Sequence, residues 1–517
     1  MSPTYYITTP IYYVNDKPHI GHAYTSLACD VMARFKRLDG YDVMFVTGTD
    51  EHGQKVEKAS LAADLDPQSF TNIVSQNFWD LACLMGFSQD DFIRTTETRH
   101  IAAAQSLWCL LRNNGHIYLD YYEGWYSIND ETFYSEADVK NLAGQHIAPT
   151  GAIVERVKNP SYFFDLSRWQ EKLLAFYEAN PNFIAPESRR NEVIGFVKGG
   201  LRDLSISRTN FKWGIPVPDD EKHVMYVWLD ALTNYITAVD FPKVTSKYTQ
   251  YWPADLHIIG KDILRFHAVY WPAFLMGAGL EPPKRVFAHG WWTNDGKKIS
   301  KSIGNVIDPI ALIRTYGLDP VRYYLMRDVP FGSDGHFLEP SIIKRMTSDL
   351  SNDIGNLIQR VLSMVAKNFA STVPIPGKFT SEDIALLASA NALLVVVRRH
   401  FDNQAFHKGL EEIFYVIKYA NKYVDDHAPW ALRKSDYERM ATVLYTLVET
   451  IRYIAVLLQP IMPTSCAKML DQLAVPVNAR SFNQLATKCR LVPGTRLPKP
   501  ESIFPRWVEP RGVLDID

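Results

Sequence analysis

Cysteine is scarce in this chain, five in 517 residues, and Cys29, Cys83, Cys109, Cys466 and Cys489 stand apart with no Cys-x-x-Cys pair. That scatter argues against a disulfide framework and against a thiolate zinc site, leaving each cysteine as a small buried apolar residue. No apolar run approaches the length of a membrane span, and the chain enters a strand-like run almost at once, with no stretch that reads as a signal or transit peptide. The expectation is a soluble, cytoplasmic protein without membrane contact. Strong charge of one sign is missing too, since 55 Lys and Arg face 57 Asp and Glu. The near balance hides an asymmetry: residues 341–517 carry 22 Lys and Arg against 17 Asp and Glu, and residues 1–340 carry 33 against 40. A basic distal part suits a polyanion such as RNA and is equally compatible with a solvated surface. With 47% apolar and 22% charged residues the composition is ordinary, and the length allows two or three domains.

The most informative stretch is residues 4–22, Thr-Tyr-Tyr-Ile-Thr-Thr-Pro-Ile-Tyr-Tyr-Val-Asn-Asp-Lys-Pro-His-Ile-Gly-His. Its start is β-branched and aromatic, Pro10 and residues 15–18 break it, and residues 23–38 have helical apolar spacing, so it reads as strand, turn, helix. Gly21 has no Cβ to keep a nucleotide away, and His19 and His22 can donate to phosphate beside the positive end of the helix dipole. Alone, His-x-Gly-His fits a capped helix start with two exposed imidazoles equally well. A second stretch, Lys297-Lys298-Ile299-Ser300-Lys301-Ser302 after Asp295-Gly296, sets three ammonium groups close together on a predicted loop, where they repel unless an anion sits among them.

These two stretches, in this order and this far apart, resemble the HIGH and KMSKS signatures of class I aminoacyl-tRNA synthetases. Pro10-Ile11-Tyr12-Tyr13-Val14-Asn15, Thr47-Gly48-Thr49-Asp50-Glu51-His52-Gly53, Tyr226-Val227-Trp228-Leu229-Asp230-Ala231, Ile259-Gly260-Lys261-Asp262 and Ala428-Pro429-Trp430 are similar to the methionyl branch of that family, over essentially the whole chain. The fold implied is α/β: a Rossmann-like parallel-sheet catalytic domain with a connective insertion, then an all-α anticodon-binding helical bundle. The activity implied is methionine–tRNA ligation: the methionine carboxylate attacks the α-phosphate of ATP, pyrophosphate leaves, and the terminal adenosine of tRNA(Met) takes the methionine. Mg²⁺ comes with ATP. Many of these enzymes carry zinc knuckles in the insertion, but here the segment reads Gly124-Trp125-Tyr126-Ser127-Ile128-Asn129-Asp130-Glu131, so no zinc is expected.

The resemblance assigns His19, His22, Lys298 and Lys301 as catalytic, with Gly21, Gly260, Ser300 and Ser302 joining them around ATP. It assigns methionine to Ile11, Tyr13, Asp50, Trp228, Ala231, Leu232, Tyr235, Ile263 and His267, backed by Phe266 and Trp271. Asp50 suits a substrate ammonium and equally suits an N-cap for the next helix. Trp228, Ala231, Leu232 and Tyr235 share a helical face, a pattern that fits core as well as pocket. His267 near Tyr235 could set an imidazole nitrogen against the sulfur, or be a satisfied core histidine. Arg208 could meet a carboxylate, or be a surface arginine.

Five segments follow: residues 1–114 and 226–340 as the two halves of the catalytic domain, 115–225 as a zinc-free insertion, 341–492 as the helical domain, and 493–517 as a proline-rich strap. In the catalytic halves a second strand is predicted over 42–47 and a helix over 263–276; in the distal part predicted helices cover 342–369, 382–401, 403–427, 436–459 and 463–474, an antiparallel bundle. Asn352, Asn356 and Arg360 are spaced to share a face, and Trp430 follows Pro429 at a loop-to-helix junction, the chemistry of unstacked-base recognition. A tryptophan buried under the bundle is the alternative; the resemblance assigns all four to the CAU anticodon. With no appended strand-rich tRNA-binding domain in view, a monomer is expected. Two other readings stay open: a small-molecule nucleotidylyltransferase, which needs no long helical module, and a synthetase-derived RNA-binding protein, which would lack the histidines or lysines.

Overall fold

The run Thr-Tyr-Tyr-Ile-Thr forms strand β1 (Thr4–Thr8), and the missing N–H of Pro10 helps end it. In the computed structural model, which describes residues 2–508 apart from 15–16, 130–131, 135–137, 143, 295–296 and 299–305, the chain divides into two compact units. One comprises residues 4–29 and 43–289; the other comprises 1–3, 30–42 and 290–517.

The first unit is built on a seven-stranded sheet. After β1 come β2 (Tyr12–Tyr13), β3 (Asp42–Asp50), β4 (Asp91–Arg94), β5 (Ile184–Ala185), β6 (Leu256–Gly260) and β7 (Val286–His289). The order is β5-β7-β6-β1-β3-β2, with β4 also on β3, and the registers of β1 with β6, β6 with β7, β5 with β7, β2 with β3 and β3 with β4 are parallel. β3 is buried at every position after its first, as a strand covered on both faces must be. It runs through Asp50, three residues beyond the predicted 42–47, and Gly48 permits this: a Cβ there would lie 2.0 Å from the carbonyl oxygen of Ile93 on β4. Chain order reverses beside β1, so the carboxyl ends of β1, β3 and β6 flank the crevice where open α/β sheets bind ligands.

Helix α1 (Ile20–Leu38) starts three residues before the predicted helix. Beneath the sheet, Tyr6, Val46 and Ile259 share one buried cluster with Trp108, Leu107, Trp271 and Phe274. Within residues 115–225 the strands Ile117–Ser127 and Glu155–Phe164 form a long antiparallel pair, extended by Thr132–Tyr134 and Leu204–Ser205. The same interval contributes β5, so part of it belongs to the main sheet.

The second unit is mostly helical: α2 (Asn356–Asn368), α3 (Ser381–Asp402), α4 (Phe406–His427), α5 (Pro429–Ser435), α6 (Tyr437–Leu458) and α7 (Pro463–Gln472). Two of these, α3 and α6, are long and apolar enough to cross a membrane by length and composition, which corrects the expectation that no run approaches that length. Residues 440–458 of α6 are buried throughout, the property of a bundle's central helix. Met346–Gly355, ahead of α2, is π-helical, a break within the predicted 342–369 helix. The tail lies on this unit: Val373 donates to Thr495, Leu497 to Ser371, and Gln472 and Glu501 exchange two hydrogen bonds.

Candidate functional site

The turn that leads into α1 is a closed set of hydrogen bonds. The backbone N–H of Gly21 donates to His19 Nδ1 at 3.0 Å, and the N–H of His19 donates to His22 Nδ1 at 3.0 Å. A ring that accepts at Nδ1 carries its proton at Nε2, so both imidazoles hold an Nε2–H donor for an anion. Their centroids are 3.9 Å apart. Burial, reinforced by His19, pushes the His22 pKa well below its ordinary value, so the ring is neutral and works through its N–H. Tyr12 and Phe78 stack on each other and meet His22 edge-on at 4.9 and 5.3 Å. Gly21 is required by packing: an added Cβ would lie 2.8 Å from His19 Cε1. Sequence spacing did not mark the Tyr12–Phe78 wall, because Phe78 comes from a helix far along the chain.

Asp50 is the buried last residue of β3, in register with Tyr13, and Ile11 immediately precedes β2. The next helix, Gln54–Ala62, is capped by Gly53 without a side-chain bond, so the N-cap reading of Asp50 does not hold. Gly260 ends β6 opposite His289, whose Nε2 lies 2.7 Å from Thr25 Oγ1 on α1.

Trp228, Ala231 and Leu232 lie on the short helix Val227–Leu232 and Tyr235 on Asn234–Thr237, with Ala231, Leu232 and Tyr235 buried and Trp228 partly open. Trp228 stacks on Phe266 with centroids 3.4 Å apart. The predicted helix 263–276 is instead a 3₁₀ turn, Lys261–Ile263, and a π-helical turn, Phe266–Tyr270, ahead of Trp271–Gly277. His267 Nδ1 lies 2.9 Å from the carbonyl oxygen of Ile263, which can only accept. Nε2 is therefore the acceptor, and the Tyr235 hydroxyl donates to it at 2.7 Å. Burial lowers His267 to about 4, so the ring is neutral. Both ring nitrogens are thus engaged, which corrects the expectation that an imidazole nitrogen faces the sulfur; the polar atom left to meet a thioether is the Tyr235 oxygen. Burial also holds the Tyr235 phenol well above its ordinary pKa, keeping its proton in place. Arg208 is buried, its guanidinium 4.2 Å from the Tyr226 ring centroid, so the surface-arginine reading fails.

In the helical unit Trp430 is 53% exposed, which removes the alternative of a tryptophan buried under the bundle. The Arg360 guanidinium lies 5.6 Å from its ring centroid and bonds Asp425 at 2.7 Å. Asn352 and Asn356 are exposed, but Asn352 sits in the π-helical stretch, where a turn is wider than the α-helical spacing assumed for it. Lys298 pairs through its backbone with Thr293 in a short antiparallel hairpin, not a loop. Ser300, Lys301 and Ser302 lie outside the described residues.

Residues 5–362 match the family described as tRNA synthetases class I (M), and residues 373–510 match the anticodon binding domain of methionyl tRNA ligase. The methionine–tRNA ligase of Rickettsia bellii is 56% identical over 98% of this chain and 100% of its own length. That of Mesorhizobium japonicum is 54% identical over 98% and 99%. The structure of Mycobacterium tuberculosis methionyl-tRNA synthetase in complex with methionyl-adenylate superposes with a TM-score of 0.95 at 52% identity, covering 98% of this chain and 100% of that one. With its catalytic and anticodon segments both matched, the chain belongs to the methionyl family of class I aminoacyl-tRNA synthetases.

Proposed function

We propose that this chain activates L-methionine with ATP, giving methionyl-adenylate and pyrophosphate, and transfers the methionine to the 3′ end of tRNA(Met). The observation that carries the catalytic half is the pair of Nε2–H donors fixed by backbone N–H groups at the switch point of the sheet. Adenylate formation needs no protein nucleophile; it needs the carboxylate aligned with the α-phosphorus and the growing negative charge stabilised. His19 and His22 donate to the phosphates, Gly21 and Gly260 border the nucleotide, and Lys298 and Lys301, with Ser300 and Ser302, serve the departing pyrophosphate. Mg²⁺ enters as part of the ATP substrate.

Methionine binds with its ammonium at Asp50 and its side chain among Ile11, Tyr13, Trp228, Ala231, Leu232, Tyr235, Ile263 and His267. The half-open Trp430 stacks on an anticodon base, with Arg360, Asn352 and Asn356 reading edges. No cysteine falls within residues 115–225, which supports an insertion that works without zinc. The enzyme is read as a cytoplasmic monomer.

Pyrophosphate exchange with each of the twenty amino acids tests the reading. Exchange is expected with methionine alone; exchange driven best by another amino acid would overturn the assignment of the pocket. Exchange with methionine but no charging of tRNA(Met) would confine the function to a nucleotidyl transfer.

A further inference from the structure

Behind the methionine site lies a buried carboxylate that the chemistry above does not use. Asp230 sits between Trp228 and Ala231 on the short helix Val227–Leu232 and is fully buried. His52 Nδ1 lies 2.7 Å from Oδ2, and His100 Nε2 lies 2.8 Å from Oδ1. Burial pushes this carboxyl upward, yet the two imidazoles outweigh it and hold Asp230 below the ordinary carboxylate range, so it is ionised and each histidine donates.

Each partner comes from an element tied to the amino-acid site. His52 lies two residues past Asp50 on the turn after β3, its ring edge-on to Trp213 at 5.4 Å. His100 comes from the helix Thr98–Asn113, and its Nδ1 lies 3.1 Å from Thr237 Oγ1, on the helical turn that carries Tyr235. Thr237 Oγ1 also donates to the carbonyl oxygen of Thr233 at 3.0 Å, so the same hydroxyl ties the His100 ring to this turn. A single carboxylate therefore joins the strand end bearing Asp50, the helix bearing Trp228, Ala231 and Leu232, and the turn bearing Tyr235. A buried carboxylate must keep its hydrogen-bond donors, because losing one leaves it under-satisfied away from water, so the three elements are held to one another through it.

We propose that Asp230, clamped by His52 and His100, is a positioning residue for methionine recognition, setting the pocket helix at a fixed rotation relative to the carboxylate that receives the substrate ammonium. The inference rests on the assignment of methionine to this pocket. Its consequence is selective: loosening the clamp should separate the ammonium site from the side-chain site and leave the nucleotide site at His19 and His22 alone.

The test is methionine-dependent pyrophosphate exchange by the full chain with methionine and ATP varied in turn, for His52→Ala, His52→Asn, His100→Ala, His100→Gln and Asp230→Asn. Asn can present an N–H where His52 uses Nδ1, and Gln where His100 uses Nε2. The alanine variants and Asp230→Asn are expected to raise the methionine KM about tenfold or more, with kcat and the ATP KM within about twofold. His52→Asn and His100→Gln are expected to recover most of the methionine KM. Loss of kcat with the methionine KM unchanged, or equal change in both KM values, would make the cluster a stability element and overturn the proposal. If an alanine variant does not fold, Asp230→Asn, which keeps the side-chain shape, decides by the same split. No methionine-dependent exchange by the unsubstituted chain would sink the pocket assignment and this inference together; normal exchange with no KM split in any variant would sink this inference alone.

Discussion

Replacing Tyr235 by Phe removes one buried oxygen and keeps the ring, which stacks on His257 at 4.1 Å and flanks Trp271. The lost oxygen is the donor to His267 Nε2, and that nitrogen cannot become a donor itself, because Nδ1 must keep its proton for the Ile263 carbonyl. With the ring neutral, the variant leaves a buried acceptor without its partner, at a cost of about 1–3 kcal/mol. Where that cost appears depends on water. In the free protein a water can fill the vacated position and donate to Nε2, and a methionine side chain seated in the pocket displaces it. The loss therefore falls on binding, as a rise of about 5- to 150-fold in the methionine KM and dissociation constant. Pyrophosphate exchange at saturating ATP gives the first, and tryptophan fluorescence, with Trp228 and Trp271 nearby, gives the second. The ATP KM should stay within about twofold. A methionine KM in Tyr235→Phe equal to that of the unsubstituted chain would refute the assigned hydrogen-bond direction, since nothing would then depend on the phenolic proton.

Gly21→Ala places a methyl 2.8 Å from His19 Cε1, so the ring must move off its N–H donor; exchange kcat should fall about 100-fold while the methionine KM changes little. Stability should fall as pH drops from about 6.5 to about 4, because there the unfolded chain binds a proton at His267 that the native pocket refuses. That one group is worth about 3 kcal/mol across the window, the burial-lowered His22 and His257 add in the same direction, and urea unfolding of His267→Gln should show a shallower acid slope than the unsubstituted chain. Trp430→Ala should leave pyrophosphate exchange intact and weaken tRNA(Met) binding about 5- to 150-fold, the worth of one stacked base; parallel loss of exchange would make the residue structural.

Much of this architecture was legible because its signals are local. β1 is a run of β-branched and aromatic residues closed by a proline, and the bundle helices repeat an apolar face over many turns, so their predicted limits fall within a few residues of the structure. The misses share one cause, an element shorter than its own period or set by a distant neighbour. Strand β5 is two residues long, too short for alternation to register, and it exists because Val286–His289 accepts it as an edge. The extension of β3 through Asp50 depends on β4 approaching Gly48, which no local pattern records. The π-helical turns at Phe266–Tyr270 and Met346–Gly355 read as α-helix, because one extra residue in a turn disturbs the apolar spacing too little to see.

The site follows the same division, with one instructive exception. His52 and His100 stand 178 and 130 residues from Asp230, and nothing in Thr-Gly-Thr-Asp-Glu-His-Gly says that its histidine turns towards a buried carboxylate. In the His-x-Gly-His turn, by contrast, spacing settles the chemistry as well as the residue types. The ring at 19 accepts from the N–H two residues later, and the ring at 22 accepts from the N–H three residues earlier, so both leave the same nitrogen protonated. The motif is thus one hydrogen-bonded unit. Moving either histidine by a single position would take its Nδ1 off the backbone N–H that fixes the tautomer, and the Nε2–H aimed at phosphate would no longer be held in place.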